Sequence, residues 1–212
     1  MLVKWIQCNV PENKKALFSQ AQEQWDVLKN LDGFLGQVGG WDRKHTSQAA
    51  ILSFWRDNDA YQAFMEDQHN TIFKENEQES TYDSISVQIY EKLQDINEQD
   101  ILKLFSKGTI LRIADCLVRD EKRDHFEWVQ KNIWNVGMNN SEGMLAGVFC
   151  KNEKNHPYRY LVVSLWEHIY AHKHYEAYAL PSLLEQANVK EDVIQIKGLL
   201  VELEESWSVL KK

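Results

Sequence analysis

The stretch Ala50-Ile51-Leu52-Ser53-Phe54-Trp55-Arg56-Asp57-Asn58-Asp59-Ala60-Tyr61-Gln62-Ala63-Phe64 decides the fold, because its layout occurs twice. Leu161-Val162-Val163-Ser164-Leu165-Trp166-Glu167-His168-Ile169-Tyr170-Ala171-His172-Lys173-His174-Tyr175 follows the same plan: an apolar run, a Ser, an apolar residue, a Trp, then a polar amphipathic segment with an aromatic nine residues beyond the Trp. The apolar run is nearly continuous, as expected for a strand covered on both faces. In the first copy Asp57 stands where a helix N-cap belongs, and Ala60, Tyr61, Phe64 and Met65 fall on one helical side.

Working outward, residues 2–10 are rich in β-branched and aromatic side chains and read as a strand ended by Pro11. Residues 12–30 place Leu17, Ala21, Trp25 and Leu28 at helical spacing. Residues 33–41 read as a strand whose glycines, Gly33, Gly36, Gly39 and Gly40, signal a bulge or a close approach of another backbone or a ligand. His69-Asn70-Thr71 breaks the second helix, and residues 84–93 alternate as a closing strand. The order β-α-β-β-α-β is the ferredoxin-like arrangement.

After a charged, helix-compatible connector the order repeats: strand 109–118, helix 120–136 with Phe126, Val129, Ile133 and Val136 inward, strand 143–151, strand 158–166, helix 167–179 and strand 193–203. Cys8 and Cys116 lie 108 apart, Gly33 and Gly143 lie 110 apart, and Trp55 and Trp166 lie 111 apart, so the offset drifts only by small loop insertions. Pro181 falls 111 after Asn70, and Ser182-Leu183-Leu184-Glu185 has capping-box form where the helix would restart. The expected domains are 1–94, a first repeat; 95–107, a helical connector; and 108–212, a second repeat.

With 212 residues, 43% of them hydrophobic, the chain can bury two small cores. A net charge of −8 without a basic face excludes a nucleic-acid partner. No apolar run reaches the roughly 18 residues of a membrane span, and the N-terminus lacks a signal peptide's apolar centre, so no membrane association and a cytoplasmic location are expected. Cys8, Cys116 and Cys150 sit in strand-like runs without metal-type spacing and read as buried free thiols. Eight Trp and eight Tyr predict a large apolar pocket or interface.

A four-stranded sheet with both helices on one face leaves its other face bare, unfavourable by roughly 25 cal/mol per Å² of apolar surface. Two tandem units pressed sheet to sheet would cover both faces. The passage Ile51-Leu52-Ser53-Phe54-Trp55 followed by Asp59-Ala60-Tyr61 and Phe64, with its copy ending Ser164-Leu165-Trp166, resembles the dimeric α+β barrel proteins, and among them the antibiotic-biosynthesis-monooxygenase-like group. The fold so implied is α+β: two ferredoxin-like repeats forming a pseudo-dimeric α+β barrel. The resemblance implies a pocket for a small hydrophobic or aromatic molecule and, for an oxygenase, no dedicated metal, flavin or other cofactor. It extends to members of unknown role and to haem-degrading members, which are similar in carrying a Trp on the second helix, a His at its end and an Asn on the first strand. Here those positions hold Phe64, His69 and Asn9 in the first repeat and Tyr175, Leu180 and Leu117 in the second, so a single working pocket is expected, in the first half.

The catalytic candidates are Asn9, His69 and Asp115, and the substrate-binding candidates are Trp5, Gln7, Trp55, Phe64 and Trp166. Trp5, Gln7 and Asn9 share one face of the first strand. Asp115 takes the place of Gln7 in the second repeat; in apolar surroundings its pKa would rise and suit it as a base, whereas a structural hydrogen bond would leave it inert. Trp55 and Trp166 also serve simply to pack the strand-to-helix corner. His168 and His172 are one helical turn apart, as metal ligands can be. The apolar face of Ile169, Tyr170 and Tyr175 turns those histidines and His174 to the solvated side, so no metal site is expected. Lys4 and Arg112 match in register; they either receive an acidic ligand or snorkel at a strand edge. The leading reading is binding, with or without monooxygenase-like oxidation, of a small hydrophobic or aromatic ligand. Its rivals are a non-enzymatic sensor or stress-related interaction protein, and a haem protein. The expected assembly is a monomeric pseudo-dimer, with a further homodimer as the alternative.

Overall fold

Pro11 and a short 3-10 turn, Glu12–Lys14, carry the chain out of its first strand, β1 (Leu2–Asn9), into helix α1 (Lys15–Glu23). The computed structural model describes residues 1–152 and 158–211. The chain forms two units, Met1–Ile89 with Val201–Lys212, and Tyr90–Leu200. In the first, α1 passes into a 3-10 segment, Gln24–Asn30, rather than continuing as one α-helix, and Phe18, Ala21, Trp25 and Leu28 are its buried residues. Leu17, expected inward, is exposed. Strands β2 (Phe34–Asp42) and β3 (Gln48–Trp55) form an antiparallel hairpin, and β3 also pairs antiparallel with β1. The glycine-rich strand has its bulge between Phe34 and Gly36. Helix α2 (Asn58–Asp67) is capped by Asp57, whose carboxylate accepts the Ala60 N–H at 2.8 Å. The break falls at Gln68, one residue before the sequence places it, and α3 (His69–Glu75) follows. Strand β4 (Ser84–Asp95) lies beside β1.

In the second unit the charged connector holds only one helical turn, α4 (Ile101–Leu104). Strand β5 (Ile110–Val118) pairs antiparallel with β7 (Tyr158–Trp166), which pairs with β6 (Met144–Asn152), again with a bulge, between Met144 and Ala146. Residues Glu91–Asp95 of β4 pair with β6. The helix read as one element is α5 (Arg123–Val129), a π turn at Gln130–Trp134 and α6 (Asn135–Asn139). The extra residue of a π turn rotates the helical residues beyond it, so Trp134 and Met138 are buried and Val136, expected inward, is exposed. A second π turn, Tyr175–Ala179, joins α7 (Ile169–His174) to α8 (Leu180–Ala187). Pro181 is accommodated in the first turn of α8, where its missing N–H costs nothing. Ser182 does not cap the helix; its hydroxyl accepts from Gln186. Strand β8 (Val193–Leu203) closes the unit beside β5, and its last three residues, Val201–Leu203, belong to the first unit and pair with β2. Gly40 admits that approach: a Cβ there would lie 1.8 Å from the Glu202 carbonyl oxygen. The chain ends with Trp207 packed edge-on to Phe18 and Trp41, and a short β9 (Val209–Leu210) on β2.

The duplication extends to atomic detail. Trp55 Nε1 donates to Ser53 Oγ at 3.2 Å and Trp166 Nε1 to Ser164 Oγ at 3.0 Å. Gly33 and Gly143 both have positive φ, 73° and 76°, and a Cβ on either would stand 2.3 or 2.4 Å from the Cβ of Ala60 or Ala171. His168 caps α7 through Nδ1 as Asp57 caps α2.

Candidate functional site

A cavity of about 480 Å³ lies within the first unit. Its floor comes from three strands. Alternation along a strand sends every second side chain to one face, and the face that meets the cavity carries Lys4, Ile6 and Cys8 from β1, Ile51, Ser53 and Trp55 from β3, and Gln37 from β2. Trp25 and Leu28, Tyr61, Phe64 and Met65, and His69 and Phe73 wall it from the helical side. Trp55 stacks on Phe64 with ring centroids 4.7 Å apart, and the His69 ring lies parallel to Phe73 at 5.8 Å. Glu79, Ile85 and Val87 line the cavity and are exposed, which marks its mouth between α3 and β4.

An amide chain braces this wall. Trp25 Nε1 donates to Gln78 Oε1 at 2.7 Å, and Gln78 Nε2 donates to Gln22 Oε1 at 2.9 Å. Gln78 also lies in a turn stabilised by Asn76 and Thr81, next to Glu77 in the left-handed region. The segment between α3 and β4 is thereby tied to α1 and the 3-10 segment that follows it.

Electrostatically the cavity is uneven. Lys4 is 7% exposed, and burial lowers its pKa to about 8. Among the described residues its ammonium has no hydrogen-bond or ion-pair partner, and it lies over the Tyr61 ring, 5.6 Å from the centroid. The His69 pKa is lowered by burial, with a hydrogen bond to Asn70 opposing and the Lys4 charge reinforcing the shift. His69 is therefore a neutral imidazole at neutral pH, able to accept a proton. Burial raises the Cys8 thiol to about 12 and keeps it unreactive.

The sequence-derived candidates fall in three places. Trp55, Phe64 and His69 come together in the cavity wall. Trp5, Gln7 and Asn9 occupy the opposite face of β1 and are not among the lining residues; Trp5 is buried and Asn9 exposed. Asp115 and Trp166 belong to the second unit. There Asp115 is gripped by Arg159 through two bonds of 2.8 and 2.6 Å and accepts from the Tyr90 hydroxyl at 3.1 Å, a satisfied structural carboxylate. Of the three positions compared with haem-degrading proteins, Phe64 and His69 meet the cavity and Asn9 does not; with Phe in place of the Trp and Asn9 on the other face, these residues do not fit that haem-degrading pattern. Among the described residues no group of His, Cys, Asp or Glu is placed to hold a metal. His172, expected on the solvated side, is buried against Trp166 and Tyr175 with neither ring nitrogen hydrogen-bonded, and burial lowers its pKa to about 4.

At the equivalent place between sheet and helices the second unit has a smaller cavity of about 190 Å³, lined on the helical side by Phe126, Trp134 and Met138, and a separate hollow of about 420 Å³ lies beside Leu93, Trp128 and Phe149. Gln22, Gln37, Ser53 and Gln78 also line the larger cavity and were not among the site candidates drawn from the sequence. Ser53 carried the available signal, a hydroxyl inside an apolar strand matched by Ser164 in the copy.

A family model described as Domain of unknown function (DUF4937) matches residues 2–90. Uncharacterized protein YdbC of Bacillus subtilis is 40% identical over 95 residues, which cover 43% of this chain and 79% of that protein. Among solved structures, a proposed monooxygenase from Fusobacterium nucleatum superposes with a TM-score of 0.74 at 16% identity, covering 95% of this chain and 91% of that one. An anthrone oxidase-like protein superposes with a TM-score of 0.70 at 12% identity, covering 96% and 91%. At such identities the likeness is one of fold: the chain has the monooxygenase-like, dimeric α+β barrel type of fold. No helix among the described residues is long and apolar enough to cross a membrane.

Proposed function

The chain belongs to the family of Bacillus subtilis YdbC, and for its first unit we propose that it binds one small aromatic or hydrophobic molecule in the cavity walled by Trp25, Trp55, Phe64, His69 and Phe73. The observation that carries this reading is the contrast between the units. The equivalent space between sheet and helices measures about 480 Å³ in the first and about 190 Å³ in the second, and the larger value lies in the range of small-molecule sites, roughly 300–1,000 Å³. A packed interior of this size left open forgoes burial and dispersion energy, which a ligand restores. Titration with the neutral fluorophore N-phenyl-1-naphthylamine tests it. Saturable enhancement at one equivalent, abolished by the cavity-filling substitution Ile6→Trp, is expected. No saturable enhancement, or enhancement that survives Ile6→Trp and is lost when Ala114→Trp fills the second unit, refutes it.

A second reading, oxidation of the bound molecule, is favoured by His69. A neutral imidazole in an aromatic wall can take a proton from an acidic hydroxyl or C–H of the ligand, leaving an electron-rich anion to react with dioxygen. For anthrone the balance is one anthrone plus one O₂ giving one anthraquinone plus one water. Oxygen uptake with that stoichiometry, lowered in His69→Ala, supports oxidation; binding without uptake removes it and leaves the binding reading in place.

A further inference from the structure

The sheet registers align three polar residues across the cavity floor. Lys4 of β1 is paired with Ser53 of β3, and Gln37 of β2 is paired with the same Ser53. The neighbouring level on these strands is apolar, Ile6 with Ile51 and Gly39. Gln37 is 4% exposed and its side-chain Nε2 is buried with no hydrogen-bond partner. The Ser53 oxygen already accepts the Trp55 N–H, which leaves its own O–H to donate. Lys4 offers an ammonium with no carboxylate near it. One level of the floor therefore brings together an ammonium, a hydroxyl and the side-chain amide of Gln37, and the carboxylate that lines the cavity, Glu79, stands at the exposed mouth.

Buried donors without acceptors are costly, and a buried cation without a counter-charge more so. A ligand that brings an acceptor to this row would compensate that cost. Resting on the reading that the cavity binds a small molecule, we infer that this molecule is an aromatic acid, with its ring system among Trp55, Phe64 and Phe73 and an ionised oxygen group, carboxylate or phenolate, on the Lys4–Ser53–Gln37 row. The equivalent row of the second unit is Arg112, Ser164 and Gly147. The cation and the hydroxyl are repeated there, but the amide is not. The space above Gly147 is taken by Ile96, whose Cδ1 would lie 2.5 Å from a Cβ at that position. An acid-binding row thus survives complete in the unit that has the room for a ligand.

Calorimetry with naphthalene-2-carboxylate and its neutral shape analogue 2-acetylnaphthalene, at pH 7, distinguishes this inference from the reading beneath it. The wild-type protein is expected to bind the carboxylate about tenfold or more tighter than the ketone, the scale of one charge-assisted hydrogen bond in a buried site. In Lys4→Met the ratio should fall to about one, and Lys4→Arg should keep it well above one. Equal wild-type affinities, or ketone binding alone, overturn the acid inference and leave the cavity reading standing. Binding of neither ligand overturns both. A preference that persists in Lys4→Met overturns the role of Lys4, and the wild-type pair of ligands decides the inference even if that variant fails to fold.

Discussion

Replacing Lys4 with Met should make the protein more stable at neutral pH. The side chain keeps its length and loses an ammonium that is 7% exposed. Burial brings the Lys4 pKa from its ordinary 10.5 to about 8; at about 1.4 kcal/mol for each tenfold change in proton affinity, holding the charged form inside costs roughly 3 kcal/mol. The sign comes from proton counting. Below about pH 8 the folded and unfolded chains both carry the proton and the full cost is present. Between about 8 and 10.5 the folded chain releases it first, so the unfolded chain binds more protons and stability rises with pH. Above that window the cost is gone. The groups facing Lys4 leave this window clear: burial holds His69 neutral above pH 7, and it pushes the Cys8 thiol up to about 12 and raises the Tyr61 hydroxyl above its ordinary range.

The assay is urea unfolding of wild type and Lys4→Met from pH 6.5 to 10.5, each reported as a difference so that titrations shared by both proteins cancel. Lys4→Met should gain about 2–3 kcal/mol at pH 7, shrinking toward zero as the pH passes through the window. A variant destabilised at pH 7, or a difference that does not change with pH, would refute the argument that Lys4 is held charged and uncompensated. A confirmed gain would identify a residue kept at a cost to stability, as residues that serve a site commonly are.

Burial sets three further outcomes. Trp55→Ala removes a side chain that is 1% exposed and stacks on Phe64; a loss of about 3–5 kcal/mol is expected in chemical denaturation, and a near-native midpoint would show that the corner is not packed as described. Asp115→Ala strands the Arg159 guanidinium and the Tyr90 hydroxyl in the second unit and should cost about 3–5 kcal/mol, with a melting temperature within a few degrees of wild type counting against it. The three free thiols are buried, and Cys8 and Cys116 are raised to about 12, so Ellman's reagent at pH 8 should titrate none of them in the folded protein and all three in urea.

Strand order and repeat were legible because each rests on a local pattern that survives into the structure. The Trp, the preceding Ser and the capping residue recur at matched spacing, and their side chains make matched bonds. Helix interiors were less legible. A 3.6-residue period fitted to residues 120–136 cannot register a π turn, and one extra residue at Gln130–Trp134 was enough to exchange Val136 for Trp134 and Met138 in the core. Leu17 and Phe18 changed places for a similar reason: the 3-10 geometry of Gln24–Asn30 alters which residue upstream aligns with Trp25 and Leu28.

The candidate site shows where reading by alternation stops. Period two divides β1 into a Trp5-Gln7-Asn9 face and a Lys4-Ile6-Cys8 face but does not say which one the helices cover. The first face carries a Trp and two amides, the residue types usual in a pocket, and Lys4 is of the type usual at a surface. What reverses the assignment is register: pairing through Ser53 brings Lys4 level with Gln37, 33 positions away, and no local pattern encodes that coincidence. The duplication did hold a clue. Lys4 and Arg112 recur together with Ser53 and Ser164, a cation and a hydroxyl retained inside apolar strands of both units. The hydroxyls have a structural reason to be kept, since each accepts the N–H of the Trp two residues on, but packing alone gives none for a cation beside them. The repeat holds the cation and hydroxyl fixed and varies the third member, Gln37 in one unit and Gly147 in the other, so the amide is what separates a floor that can grip an acid from one that is filled by Ile96.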